Sequence, residues 1–316
     1  MAMPMSRRSA VRTLAGGLPG LVAGMGQDAL TTGVCDGRDL EGFTSYCFTP
    51  TGAAPRTVYV ADGHGPPVIL LHELPGLVDA DLDAAPRLSR EGFTVLVPLL
   101  FGTPGGKGHT ARYARQVCGD DQFRCGQGAQ TSPHVAWLAQ MAREARRLWP
   151  AGRGVGVVGM CLTGMFPLAM LREPCVVAPV LLQPTLPFRA WNPRGWFTDK
   201  RSLGISPEDL KHAVGRTDVA VLGIRYTDDW RCHPQRFERL ADDFDRRFFR
   251  LDLNGGGHST IGSSFCPQAF AEVCRFLHHA LRAVDDPRHA TFPLSSRPGL
   301  RTANVVACGW HHRDGP

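Results

Sequence analysis

Short apolar runs recur along the chain, each bounded by turn residues and most followed by a stretch with helical spacing. Val68-Ile69-Leu70-Leu71, Phe93 to Pro98, Gly154 to Val158, Val176 to Leu182, Asp218 to Tyr226 and Phe248 to Leu253 read as buried strands. Helical spacing runs from Asp79 to Glu91, His134 to Trp149, Pro234 to Phe244 and Pro267 to Val284. Ser206-Pro207-Glu208-Asp209 starts a further helix, with Ser as N-cap and Pro in the first turn. Phe43 to Phe48 and Thr57 to Ala61 predict two antiparallel edge strands around a turn from Pro50 to Pro55. Strand and helix alternate, so the pattern predicts an α/β fold with a mostly parallel central sheet and helices on both faces.

The pattern divides the chain into an N-terminal extension over 1–37, one α/β domain over 38–284 and a loose C-terminal tail over 285–316 rich in Pro, Arg, Gly and Ser. Two stretches inside the domain lack periodicity. Residues 103–133 read as a long loop with a short helix around Arg112 to Val117, and 183–205, with Trp191 and Trp196, as a lid wall.

Composition narrows the function. With 316 residues, 43% hydrophobic and 20% charged, the chain can bury a large core. Its net charge of +6 comes from scattered arginines without interleaved aromatics, which argues against a nucleic-acid partner. No apolar stretch is long enough to span a bilayer, so no membrane partner is expected. Ten cysteines show neither Cys-x-x-Cys nor a Cys/His ligand spacing, so no metal is expected. They read as the reduced, buried thiols of a cytoplasmic protein, with one special member. The alternative location is outside the cytoplasm: Ser6-Arg7-Arg8-Ser9, followed by the weakly apolar Thr13 to Gly24, resembles a twin-arginine export signal.

The special thiol is Cys161. Gly154 to Val158 is a strand, Gly159-Met160-Cys161-Leu162-Thr163-Gly164 a sharp turn, and Met165 to Met170 the start of an apolar helix that ends near Pro174. That is the setting of a nucleophile elbow, whose strained tip needs small neighbours such as Gly159 and Gly164. Asp228 or Asp229 follows a later strand, and His258 follows the next one. Nucleophile, acid and histidine in that order form a working set: a thiol needs a base in reach, and the base needs a carboxylate to hold its tautomer. Against this, Asp228-Asp229 can simply cap the next helix, and His258 can be a turn residue after its three glycines.

Together these residues resemble the dienelactone hydrolase family of α/β-hydrolases over roughly 55–282. Gly-Met-Cys-Leu-Thr-Gly at 159–164 is similar to the family's Gly-x-Cys-x-Gly-Gly elbow, and Gly257-His258-Ser259 to its Gly-His-Ser. His72-Glu73 with Gly76 resembles the family's early glutamate segment, and Val97-Pro98 through Phe101-Gly102 the next strand end. The resemblance implies an α/β-hydrolase fold, Cys161 as nucleophile, His258 as base and Asp229 as orienting acid, with Asp228 the alternative. It also implies that Glu73 contacts the resting thiol and that the backbone amides of Leu74 and Leu162 form the oxyanion hole. The expected partner is a small-molecule ester or lactone, cleaved through a thioester acyl-enzyme without a cofactor.

Three departures bear on this. Thr163 replaces the first glycine after the elbow, and Gly262 stands where members acting on dienelactone carry an arginine for the substrate carboxylate. A second such arginine is missing after Leu99, although Arg112, Arg115 or Arg124 can bring charge from the loop. Competing readings are a non-catalytic binding protein on the same scaffold and a redox sensor pairing Cys161 with Cys118 or Cys125.

Overall fold

A computed structural model describes residues 35, 38–74, 76–105, 131–185, 200–282 and 305–307. Among the described residues nine strands form one sheet: β1 Thr44–Phe48, β2 Arg56–Ala61, β3 Pro67–Leu71, β4 Thr94–Pro98, β5 Val155–Met160, β6 Val176–Leu182, β7 Val221–Tyr226, β8 Phe248–Asn254 and β9 Val305–Ala307. Their order is β1-β2-β4-β3-β5-β6-β7-β8-β9. β1 and β2, and β2 and β4, pair antiparallel, and every later pair is parallel. This is an α/β-hydrolase fold, as the alternating pattern and the resemblance imply.

The apolar runs are continuous because the inner strands are covered on both faces. Side chains alternate between two cores. Val155 and Val157 join the helices His134–Leu148, Pro207–Gly215 and Pro234–Phe244, while Val158 and Met160 join Asp79–Arg90 and Pro267–Leu281. Ser206 caps its helix by accepting the Asp209 N–H at 3.1 Å, with Pro207 following.

The strand order fixes where a ligand can enter. From β3 the chain moves to β4 on one side, then returns to β5 on the other side of β3 and continues outward. The loops leaving β3 and β5 therefore diverge and open a crevice at their carboxyl ends, the usual binding place of an open α/β sheet. Glu73 and Cys161 follow these two strands.

Four expectations need correcting. The elbow helix is not continuous: Cys161–Thr163 is a 3₁₀ turn, Phe166–Ala169 one helical turn, and Met170–Arg172 another 3₁₀ turn. Pro167 confines regular helix here to a first turn, where its missing N–H does no harm. β7 begins at Val221 and not at Asp218, because Arg216 to Val219 closes a turn through Val219 N–H to Arg216 O at 3.2 Å. Within the expected tail, Val305–Ala307 pairs with β8 from Asp252 to Asn254. Three residues are too short for an alternation to stand out in a Pro- and Gly-rich segment. The thiols, finally, are not all reduced. Cys35 is bonded to Cys47 of β1, and Cys266 is also in a disulfide, whereas Cys161, Cys175, Cys232 and Cys274 are free. The predicted short helix at Arg112 to Val117, with Arg115 and Arg124, and the Trp191–Trp196 wall lie outside the described residues.

Candidate active site

Cys161 sits at the tip of β5 with φ +49°, a left-handed conformation that a non-glycine residue adopts only when its surroundings enforce it. The surroundings are specific. The Cys161 carbonyl accepts the N–H of Gly164 at 3.0 Å and of Thr185 at 2.9 Å. The turn also leaves no room for side chains at its glycines: a Cβ on Gly159 would lie 2.4 Å from Thr163 O, and one on Gly164 2.6 Å from Pro184 Cα.

Thr163, the departure from the family pattern, has a definite role in this turn. Its buried hydroxyl accepts the Met160 N–H at 3.1 Å and lies 3.3 Å from the carbonyl oxygens of both Leu71 and His72. One side chain thus ties the elbow to the end of β3. His72 serves the next junction, where Nε2 accepts the Leu100 N–H at 3.1 Å and Nδ1 lies 3.3 Å from Glu73 O. Burial lowers the His72 pKa to about 4, so its ring is neutral and structural.

His258 follows the glycine turn after β8. Its Nδ1 lies 2.7 Å from Asp229 Oδ2, and Asp229 is buried, with Oδ1 accepting the Arg231 N–H at 3.1 Å. Asp228 is exposed and accepts the Thr227 hydroxyl at 3.3 Å. The geometry therefore puts Asp229, and not Asp228, on the histidine. The side-chain ligand atoms of Glu73, Cys161 and His258 all lie within 4.8 Å of one another. Leu162 and Leu74, the residues after Cys161 and Glu73, stand on the two loops that border the crevice.

The electrostatics of this group are mixed. Burial alone would lower the His258 pKa, but Asp229, Cys161 and Glu73 outweigh it and raise it to about 10. Burial pushes the Glu73 carboxyl up, with the charge of Asp229 adding to the shift and His258, Ser259 and Gln183 opposing it. A second carboxyl, Asp81, is buried behind Glu73. Burial and the Glu73 charge hold its pKa well above the usual range, and its Oδ2 has no hydrogen-bond partner.

Sequence reasoning missed several of these residues. Gln183, fully buried at the end of β6, places Nε2 3.4 Å from Glu73 Oε2, while its Oε1 accepts the Thr260 hydroxyl at 2.7 Å. A polar residue directly after an unbroken apolar strand was the available signal, the same one that marks His72-Glu73. Arg225 holds the acid loop by donating to the carbonyls of Cys232 and Thr227, both at 3.0 Å. It also faces Asp252, which Arg250 binds at 2.7 Å. Asp81 carried no signal, since an acid in the first turn of a helix reads as a dipole partner.

Residues 53–187 match the sequence profile of the dienelactone hydrolase family. Over that segment the chain is similar to the hydrolases of that family. Similar solved structures include a putative dienelactone hydrolase from Klebsiella pneumoniae, 18% identical, with a TM-score of 0.54 over 75% of this chain and 96% of that one. A dienelactone hydrolase-like promiscuous phosphotriesterase from metagenomic libraries is 18% identical, with a TM-score of 0.50 over 76% and 99%. An esterase from Pyrococcus furiosus is 14% identical, with a TM-score of 0.50 over 76% and 93%. At these identities the three structures speak for the fold. No curated protein matches the chain. The family match spans the elbow and the Glu73 segment, while Asp229 and His258 lie beyond it.

Proposed function

We propose that the protein is a cysteine-dependent hydrolase of small, uncharged carboxylic esters or lactones. The observation that carries this is the meeting of Cys161, at a strained strand tip, with a histidine already oriented by a buried carboxylate. In this reading Cys161 Sγ attacks the ester carbonyl, and the N–H groups of Leu74 and Leu162 hold the oxyanion. His258 passes the thiol proton to the leaving alcohol, then takes a proton from the water that cleaves the thioester. No cofactor enters the cycle.

The preference for uncharged substrates rests on the acid side of the site. Glu73 and Asp229 flank His258, Asp81 adds a further carboxyl next to Glu73, and a Cβ at Gly262 would already lie 2.9 Å from Asp81 Oδ1. The buried arginines nearby are engaged elsewhere: Arg225 and Arg250 with Asp252, Arg236 with the carbonyls of Pro184 and Ser202. A panel of ester and lactone substrates, run on wild type and Cys161→Ala, tests the reading. Trapping the thioester by mass spectrometry is the expected result, and full activity in Cys161→Ala overturns it.

We infer further that the protein works outside the cytoplasm. Disulfides at Cys35–Cys47 and at Cys266 suit an oxidising compartment, and the Ser6-Arg7-Arg8-Ser9 segment supplies an export route. Among the described residues no helix is long and apolar enough to cross a membrane. Cell fractionation should recover the protein outside the cytoplasm, and cytoplasmic protein with all ten cysteines reduced overturns the inference.

A further inference from the structure

The geometry points to a second binding capacity at the catalytic triangle: we propose that Cys161, His258 and Glu73 form a three-ligand site for a borderline-soft divalent metal such as Zn²⁺, which blocks the hydrolase reversibly. The sequence shows no ligand spacing because the three donors come from three separate loops, after β5, β8 and β3.

Three features of the triangle match what such an ion requires. The first is distance. In a tetrahedral zinc site, bond lengths of about 2.0–2.3 Å put the ligand atoms about 3.4–3.6 Å apart. Here Glu73 Oε2 and His258 Nε2 are 3.9 Å apart, and no pair that includes Cys161 Sγ exceeds 4.8 Å. Closure therefore needs side-chain adjustments of about an ångström.

The second is the donor set. One thiolate, one imidazole and one carboxylate favour zinc-like ions over Mg²⁺ or Ca²⁺, and three protein ligands leave the fourth position to water. His258 Nε2 is held by no hydrogen bond, so the ring can ligate once any proton there is released.

The third is support behind the ligands. A ligating histidine ordinarily has its other nitrogen held by a carboxylate, and Asp229 already sits 2.7 Å from Nδ1. The Gln183 amide, 3.4 Å from Glu73 Oε2, steadies the carboxylate ligand in the same way. Binding displaces the proton of the Cys161 thiol and any proton on His258 Nε2 into solvent, and nothing is oxidised or reduced.

The arrangement that orients a nucleophile therefore also orients a metal ligand. While the ion is bound, the sulfur lone pair and the base nitrogen are both occupied, so the thiol can neither attack nor be alkylated.

Titration of the full-length protein with Co²⁺ under oxygen-free conditions tests this without relying on activity. Wild type should show a thiolate-to-cobalt charge-transfer absorption that saturates at one equivalent and is erased by Zn²⁺. Cys161→Ser should lack the band, and Asp229→Asn should bind Co²⁺ about 10–100-fold more weakly. His258→Ala is a second ligand-deletion variant, and melting curves confirm that each variant is folded. Absence of the band in wild type, or its full persistence in Cys161→Ser, overturns the proposal. Because absorption is the readout, failure to find an ester substrate leaves this test intact.

Discussion

Glu73 Oε2 lies 3.9 Å from His258 Nε2, the ring nitrogen that serves Cys161 in the proposed mechanism. The carboxylate and the thiol thus compete for one imidazole. A negative Glu73 opposes thiolate formation by like-charge repulsion and occupies the cation that would favour it. The resting enzyme is therefore expected to hold a protonated, protected thiol until substrate displaces Glu73.

Iodoacetamide kinetics on the free enzyme test this restraint. Glu73→Gln should raise the alkylation rate of Cys161 at neutral pH, and His258→Ala should lower it. An unchanged or slower rate in Glu73→Gln sinks the idea.

The two neighbouring acids should separate sharply. Asp229→Asn is expected to lower turnover by on the order of 10⁴-fold, the scale reached when a catalytic histidine loses its orienting carboxylate. Asp228→Asn, at an exposed position, should stay within a few-fold of wild type. Steady-state kinetics on one ester substrate decide it, and equal losses would assign the effect to the loop as a whole.

Stability should fall at alkaline pH. The folded protein raises the His258 pKa from 6.5 to about 10, so the folded state binds this proton more tightly than the unfolded chain does. The stabilisation is complete below about pH 6.5 and is lost as pH rises through about 10. Melting temperatures of wild type and His258→Gln should converge over this range. A constant difference from pH 6 to 10 would contradict the linkage.

Much of this site was legible before the fold was known, because its chemistry sits where elements end. Cys161, Asp229 and His258 each follow an apolar strand, and a polar residue there stands out against the run before it. The strands were clear for the same reason, since a sheet covered on both faces writes continuous apolar segments. What stayed hidden depends on contacts between distant parts of the chain. The resemblance already preferred Asp229 to Asp228, but which carboxylate turns inward is visible only in the fold. The clamp made by Thr163 and the braces made by Gln183 and Arg225 join segments that the sequence does not bring together. The disulfide at Cys35 was missed because pairing depends on proximity, which spacing alone does not report.

Arg225 offers a test of such a brace. It is buried opposite Asp252 and holds two carbonyls of the loop that carries Asp229. Leaving a buried charge unpaired typically costs about 3–5 kcal/mol, and Arg250, still on Asp252, keeps the loss below that. Arg225→Met is expected to destabilise the protein by less than that and to lower turnover as the Asp229 loop loosens, measured by denaturant unfolding and by kinetics at a temperature where the variant is folded. Wild-type stability in Arg225→Met would show that the loop is held by other means.

The rivet at Thr163 has a consequence for the order in which the protein matures. It joins the elbow to the backbone of Leu71, 92 residues away in sequence. Contacts of such separation form late, since a long segment must close before they are rewarded. During synthesis and refolding Cys161 is therefore expected to behave as an ordinary thiol, apart from His258 and free of strain. Its partners arrive only when β3, β5 and the loops from the second half of the chain have all docked. Reactivity at this cysteine is thus a late property of the finished molecule, and the rate at which it appears during refolding should follow the slowest docking step.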